Sequence, residues 1–200
     1  KDKSILIFKN PNSEKFIKKY IGAKEFMNSQ IRYCIWVNEE NKNEALQIPE
    51  LSELFEKVKN FRLSSKKEAT RKKAQTPYFF DEPKYQETNS IIIPQTTSEK
   101  REYIPIGFLD SNFVVSNGAR VVYNSEAWLF SLLTSKIHNN WIQAVAGRLE
   151  TRIQYSNTLC YNTFPCPPVS KQRKEELTQC TLKIIDERLK HSEKTLAQLY

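Results

Sequence analysis

The sequence predicts an α+β fold, with a mixed and largely antiparallel sheet around a central hairpin meander, packed by helices and followed by a C-terminal helical segment. Three observations carry this. Between residues 90 and 123, β-branched and aromatic residues form short runs interrupted by Asn117-Gly118, a dipeptide suited to a hairpin turn whose central residues accept positive φ. Apolar residues recur at helical spacing in 49–61, 125–145 and 170–199. The 200 residues, 39% hydrophobic and 12% aromatic, hold enough apolar material for a core that needs no disulfide or metal staple.

Taken in order, Ser4 to Phe8 reads as a short strand, and Asn12 or Ser13 as the cap of a short helix over Glu14 to Tyr20. Arg32 to Val37 has the β-branched and aromatic content of a strand, closed by the polar run from Asn38 to Asn43. From Pro49, Leu51, Leu54, Phe55, Val58 and Phe61 predict a helix, and the sequence leaves open whether it continues or breaks near Leu63-Ser64-Ser65. Pro77 to Thr88 is an aromatic, proline-containing loop. The meander then takes Ser90 to Pro94, Tyr103 to Leu109, Phe113 to Ser116 and Ala119 to Tyr123. Ser125 opens a helical stretch that runs to Val145, as one helix or as two divided around Thr134-Ser135, with Gly147 at its C-cap. Arg148 to Tyr155 and Leu159 to Phe164 are expected to be extended, until prolines 165, 167 and 168 stop the chain. Ser170 caps the last helix, whose stripe runs from Leu177 through Ile184 and Ile185 to Leu199. A boundary is expected at 168/169, between a domain over 1–168 and a helical segment over 169–200.

Charge bounds the partners. The formal net charge is +8 and the isoelectric point about 9.2. From Lys57 to Lys84, nine Lys or Arg face three acids. Lys66, Lys67, Arg71, Lys72 and Lys73 form a block that suits phosphate tracking and equally a solvated helix face. No run approaches the roughly 18–20 apolar residues of a membrane span, and no charged-then-apolar start resembles a signal peptide. A soluble, cytoplasmic protein is the expectation. The chain begins without an initiator and ends inside a helical pattern, as a piece of a longer protein would.

Enzyme chemistry finds little footing. Cys34, Cys160, Cys166 and Cys180 include no Cys-x-x-Cys pair, and His138 and His191 do not complete a zinc pattern. There is no Gly-rich phosphate loop, no Gly-x-Ser-x-Gly elbow and no His-Glu-x-x-His. Asp81 and Glu82-Pro83-Lys84 mimic part of a nuclease metal site, but from a proline-containing loop. No cofactor or metal is expected in this chain.

The informative segment is Arg148 to Gln154. If it is extended, Glu150, Arg152 and Gln154 project from one face, with Leu149 and Ile153 opposite. These side chains can discriminate base edges: Arg forks onto guanine O6 and N7, Glu accepts from cytosine N4, and Gln bridges adenine N6 and N7. The same pattern suits an ordinary solvent-facing strand with a Glu–Arg pair, and spacing does not choose between them. His138 and Trp141, three apart on one helix face, suit surface packing or a nucleic-acid contact.

At this point the chain resembles the target-recognition domain of the MmeI-like restriction-modification enzymes, single chains that join a nuclease, an adenine methyltransferase and a DNA reader. The resemblance rests on Tyr20-Ile21-Gly22-Ala23-Lys24-Glu25-Phe26, Arg32-Tyr33-Cys34-Ile35-Trp36, Phe61-Arg62, and Ser98-Glu99-Lys100-Arg101-Glu102-Tyr103-Ile104-Pro105-Ile106-Gly107. It continues in Ser135 with His138 and Trp141, Gly147-Arg148-Leu149, Tyr155-Ser156-Asn157-Thr158 and Tyr161-Asn162-Thr163-Phe164-Pro165. These separated blocks stand in order over nearly the whole chain.

The resemblance implies double-stranded DNA as partner. It implies base readout by Glu150, Arg152 and Gln154, together with Asn117 and Gly118 at the preceding hairpin tip. Lys24, Lys66, Lys67, Arg71, Lys72, Lys73, Arg101 and Arg148 are then expected on phosphates, with further contacts from His138, Trp141, Ser156 and Asn157. Gln154 stands where many relatives carry a longer basic side chain, and Cys166 where a Trp is common. The methyltransferase's Asn-Pro-Pro-Tyr-type tetrapeptide is missing here. S-adenosylmethionine and Mg2+ would therefore belong to methyltransferase and endonuclease domains elsewhere in the same polypeptide. A non-specific nucleic-acid or acidic-protein interaction module is the alternative.

Overall fold

The computed structural model describes residues 2–200, and the architecture is α+β. The chain opens with α1 (Asp2–Lys9), a helix where a strand is expected. The four-residue apolar run Ile5 to Phe8 fits either period, and here Leu6 packs as a helical side chain on a neighbouring core. A 3-10 turn over Pro11–Phe16 follows, capped by the Asn10 side chain with proline in its first turn. Residues 17–20, expected as helix, instead belong to β1 (Ile17–Ile21). After the short α2 (Ala23–Met27) come β2 (Arg32–Ile35), α3 (Lys42–Leu46), α4 (Pro49–Leu63) and α5 (Glu68–Lys72).

The second half holds β3 (Ser90–Pro94), β4 (Thr96–Thr97), β5 (Gly107–Leu109), β6 (Phe113–Val115) and β7 (Ala119–Tyr123). Then come α6 (Ala127–Thr134) and α7 (Lys136–Val145), broken at Ser135, whose hydroxyl caps α7 by accepting the His138 N–H. Gly147 does not take the left-handed cap conformation; it opens β8 (Gly147–Leu149), which is followed by β9 (Arg152–Gln154). Leu159–Phe164 is not extended either. A π-helical turn, Asn157–Tyr161, is capped by Ser156. Ser170 caps α8 (Lys171–Leu189), and α9 (Leu196–Leu199) closes the chain.

The chain divides into two compact units. The first comprises the residues up to Lys19 and Tyr33–Tyr85. Its core is Phe16, Val37, Ala45, Ile48, Leu51 and Phe55, which pack α3 and α4 against the residue that precedes β1 and the segment that follows β2. Arg62, in the last turn of α4, donates to the carbonyls of Lys73, Thr76 and Phe79 at 2.7–2.8 Å and so shapes the aromatic loop after α5.

The second unit comprises Tyr20–Arg32 and Gln86–Tyr200. In it β3 is the centre of an antiparallel sheet of order β5-β3-β7, and β9 the centre of another of order β4-β9-β8. All four strands of the expected meander form, but β6 does not pair with β7; the Ser116 N–H meets the Ile21 carbonyl at 2.8 Å instead. The main core joins Ile91, Ile93 and Ile106 to Phe130, Leu133 and Ile142 and, beneath β9, to Ile153 and Tyr155. Helix α8 is fastened to α6 through buried hydroxyls, and Ile184 and Ile185 pack on the same core.

Candidate nucleic-acid interface

The segment from Gly147 to Gln154 is a tight hairpin rather than one extended run. Leu149 pairs with Arg152, so Glu150 and Thr151 alone make the turn. Glu150 has φ 58° while Thr151 is not in the positive region, the φ pattern of a type II′ turn, whose twist matches the flanking strands. A non-glycine residue held there costs on the order of 1–2 kcal/mol. Such a cost persists only where the surroundings over-determine the conformation.

Within β9 the alternation holds. Ile153 is 1% exposed, and Arg152 and Gln154 take the opposite face, with Gln154 half-buried. Glu150 reaches that face from the turn, its Oε2 accepting from Arg152 Nη2 at 2.7 Å. Leu149, expected to face inward, is exposed because it lies across the ladder from Arg152 and shares its outward face.

The Asn117–Gly118 turn is closed by the Ala119 N–H donating to the Ser116 carbonyl at 3.1 Å. Neither central residue has positive φ, so this is not the expected primed turn. Unprimed turns splay their flanking strands, and here those strands go to different sheets. Gly22 backs the turn closely: a methyl on its Cα would lie 2.4 Å from Ser116 Oγ.

Gln95, which the sequence does not single out, joins this turn to the β8–β9 hairpin. Its N–H donates to the Gly118 carbonyl at 3.1 Å, and its carbonyl accepts the Tyr155 N–H at 2.7 Å. With its amide nitrogen toward the turn, its side chain donates to the Asn117 carbonyl at 2.7 Å and accepts from Arg120 Nη2 at 3.1 Å. The two groups of candidate base readers are thus held through one residue. Between a proline and a threonine, Gln95 carries no local signal of this, because all its partners are distant in sequence.

The candidate phosphate residues are distributed over both units. On the first, Lys66 and Lys67 are exposed, and neither forms an ion pair among the described residues. Arg71 Nη1 donates to the carbonyls of Ser65 (3.0 Å) and Lys66 (2.8 Å). Lys72 pairs with Glu68 at 2.9 Å, and Lys73 with Asp81. Exposed pairs of this kind are worth at most about 1 kcal/mol and can re-partner with phosphate. On the second unit, Lys24 is exposed, Arg101 is half-buried, and Arg148 Nη2 donates to Gln143 Oε1 at 2.8 Å.

His138 does not reach the surface. It is 1% exposed, with Nε2 3.2 Å from the Tyr155 hydroxyl and its ring edge-on to Phe164 at 4.5 Å. Burial pulls its pKa down to about 4, so it is a neutral core residue behind β9 and not at the surface where a direct DNA contact would need it. Trp141 is half-buried against the same Phe164. Ser156 Oγ accepts the Leu159 N–H at 3.4 Å, and Asn157 is exposed beside it.

Lys84 pairs with Glu82 at 2.6 Å. Among the described residues no group of three or more His, Cys, Asp or Glu is placed to hold a metal ion, and no helix is long and apolar enough to cross a membrane. The four cysteines are free thiols.

Three comparisons bear on this geometry. The family model of the MmeI target recognition domain matches residues 1–168. DNA methyltransferase A of Bacillus subtilis (strain 168) is 40% identical over 194 residues, which are 97% of this chain and 22% of that protein. The solved structure of the Type IIL restriction-modification enzyme MmeI in complex with DNA is similar over the whole chain, with a TM-score of 0.90 and 36% identity, and the match covers 27% of that chain. The chain therefore spans only about a quarter of the length of these relatives.

Proposed function

The chain belongs to the MmeI target-recognition-domain family, and from that premise we propose that it reads a double-stranded DNA sequence on behalf of a larger restriction-modification polypeptide. The observation that carries the reading is the outward trio of Glu150, Arg152 and Gln154 on a strained two-residue hairpin, backed by the buried Ile153 and Tyr155. A rigid platform that presents an acid, a guanidinium and an amide suits base edges in the major groove. A mere polyanion binder would gain nothing from Glu150, which repels phosphate.

In this reading Arg152 forks onto guanine, Glu150 accepts from cytosine N4, and Gln154 addresses a neighbouring base pair, with Asn117 and Gly118 touching the groove from their turn. Lys24, Lys66, Lys67, Arg71, Lys72, Lys73, Arg101 and Arg148 hold the backbone and fix register, and Ser156 and Asn157 extend the contact. His138 and Trp141 act from behind, as packing. The chain itself performs no chemistry. Methyl transfer with S-adenosylmethionine and Mg2+-dependent cleavage fall to methyltransferase and endonuclease domains of the same polypeptide, working in the cytoplasm.

Selection from a duplex pool randomised over its central base pairs, with RNA and heparin as competitors at fixed salt, tests the reading. Enrichment of one duplex sequence is the expected result. Equal displacement by RNA and heparin without enrichment would establish the non-specific module instead.

A further inference from the structure

The chain holds four glycines, and internal packing accounts for two of them. A methyl on Gly22 would meet Ser116 Oγ at 2.4 Å, and one on Gly107 would meet the Phe26 ring at 2.6 Å. Gly118 and Gly147 have no such reason. Neither has positive φ, both are exposed, and a methyl would meet only Ser116 Oγ at 3.7 Å in the one case and Gln154 Oε1 at 3.8 Å in the other, which are ordinary contact distances. Gly118 belongs to a turn. Gly147 does not: it pairs with Gln154 at the start of β8, and the ladder runs on without a bulge through Arg148 with Ile153 to Leu149 with Arg152. Helix α7 ends before it at Ala146, in extended conformation (φ −70°, ψ 143°), so no left-handed cap calls for a glycine either. A strand glycine that neither a bulge nor a bend requires marks a place where a ligand or another backbone comes close.

We propose that Gly147 is a specificity-determining position, whose bare Cα is the clearance that lets the base edge addressed by Gln154 seat against the β8–β9 ladder. The inference rests on the base-reading role of Gln154 given above. Paired residues share a face, so the outward row across the sheet is Thr96, Gln154 and Gly147. Gln154 is half-buried where Arg152 is exposed. Its side chain is also the shorter of the two, so the duplex must come nearer to the sheet at Gln154 than at Arg152. To bridge adenine N6 and N7, an amide must bring its carbonyl and its NH2 to the base edge together. A side chain at 147 would stand beside that amide in the same row and hold the duplex off.

The test uses the intact protein and a randomised duplex pool. Selection with the wild type and with Gln154→Ala identifies the base pair whose preference Gln154 sets, and the preferred duplex and a derivative changed at that pair are then titrated with Gly147→Ala. This variant should melt at the wild-type temperature or above it, because alanine gives up less entropy on folding and meets only an ordinary contact. It should bind the preferred duplex about tenfold more weakly and the altered duplex with a smaller loss. Wild-type affinity and selectivity in Gly147→Ala, with the preference lost in Gln154→Ala, would overturn the clearance and leave the reader assignment standing. Equal weakening on both duplexes would overturn the specificity role, since the bare Cα would then admit the sugar-phosphate backbone, and a lowered melting temperature would show that the fold itself demands the glycine. A preference unchanged in Gln154→Ala would overturn the reading of Gln154, and this inference with it.

Discussion

Arg152 Nη2 and Glu150 Oε2 meet at 2.7 Å across a two-residue turn, with their side chains 46% and 75% exposed. An ion pair this open to water contributes less than about 1 kcal/mol to the fold. Its value is that it pre-orients two groups whose remaining donors and acceptors point away from the protein. Arg152→Ala should therefore leave the melting temperature nearly unchanged and cost about 1–3 kcal/mol of binding, concentrated at one base pair. Lys72→Ala should weaken all duplexes alike and lower the salt slope by about one. Salt titrations of both variants on matched and mismatched duplexes check the contrast; an equal loss by Arg152→Ala on both duplexes would remove it from the reader group.

Strain at Glu150 separates stability from function. Glycine accepts positive φ without steric cost, although it gives up more entropy on folding. Glu150→Gly is expected to be neutral or to stabilise by up to about 1 kcal/mol, while losing discrimination at the base pair that Glu150 addresses. Thermal melts and duplex selection on the same variant measure the two effects. A marked drop in stability would show that the turn is held by the Glu150 side chain rather than despite its backbone.

How far the sequence is legible depends on whether an element is decided locally. Helix α4 could be read from Leu51 and Phe55 because a fixed period fixes the buried face, and both are core residues. The break at Ser135 and the cap at Ser170 are likewise local, each hydroxyl accepting an N–H three residues on. The first helix could not be read, since its short run matches two periods and a contact of Leu6 decides. Asn117-Gly118 permits a primed turn but does not demand one, and the pairing of its flanking strands settled the matter. Glu150-Thr151 carries no hairpin signature, so the alternation of residues 148–154 reads straight through a turn. The trio at the candidate site was legible as residue types, while the way its members come together was not.

His138 gives the protein an acid-sensitive element behind β9. Burial depresses its pKa to about 4 from an ordinary 6.5, so the unfolded chain takes up the proton first as pH falls. Its contribution is thus constant above pH ~6.5 and is progressively lost between ~6.5 and ~4, to a total of about 3 kcal/mol. Denaturant titrations at stepped pH should show the wild type losing stability across this window, and His138→Gln should flatten the curve there. An imidazole resonance assigned to His138, by its loss in His138→Gln, that titrates near 6.5 in the folded protein would contradict the assignment.

Ser131 and Thr181 form the polar link that sets α8 on the second unit. Their hydroxyl oxygens are 2.7 Å apart, Ser131 Oγ also reaches the Leu177 carbonyl, and Thr181 Oγ1 reaches the Ala127 carbonyl, each at 2.7 Å. Thr181 is 1% exposed, so no water can replace a lost partner without moving the helix. Thr181→Val keeps the shape but removes the hydroxyl contact from Ser131 and the second donor from the Ala127 carbonyl, and should cost about 0.5–1.5 kcal/mol. Adding Ser131→Ala removes the group left wanting, so the double variant should lose less than the sum of the single ones. Additive losses in denaturant titrations would mean that the two hydroxyls act independently. Since Ile184 and Ile185 on the same helix pack on the core that contains Ile153 and Tyr155, Thr181→Val should also raise amide exchange in β9 if that core transmits the loosening of α8 to the reader strand.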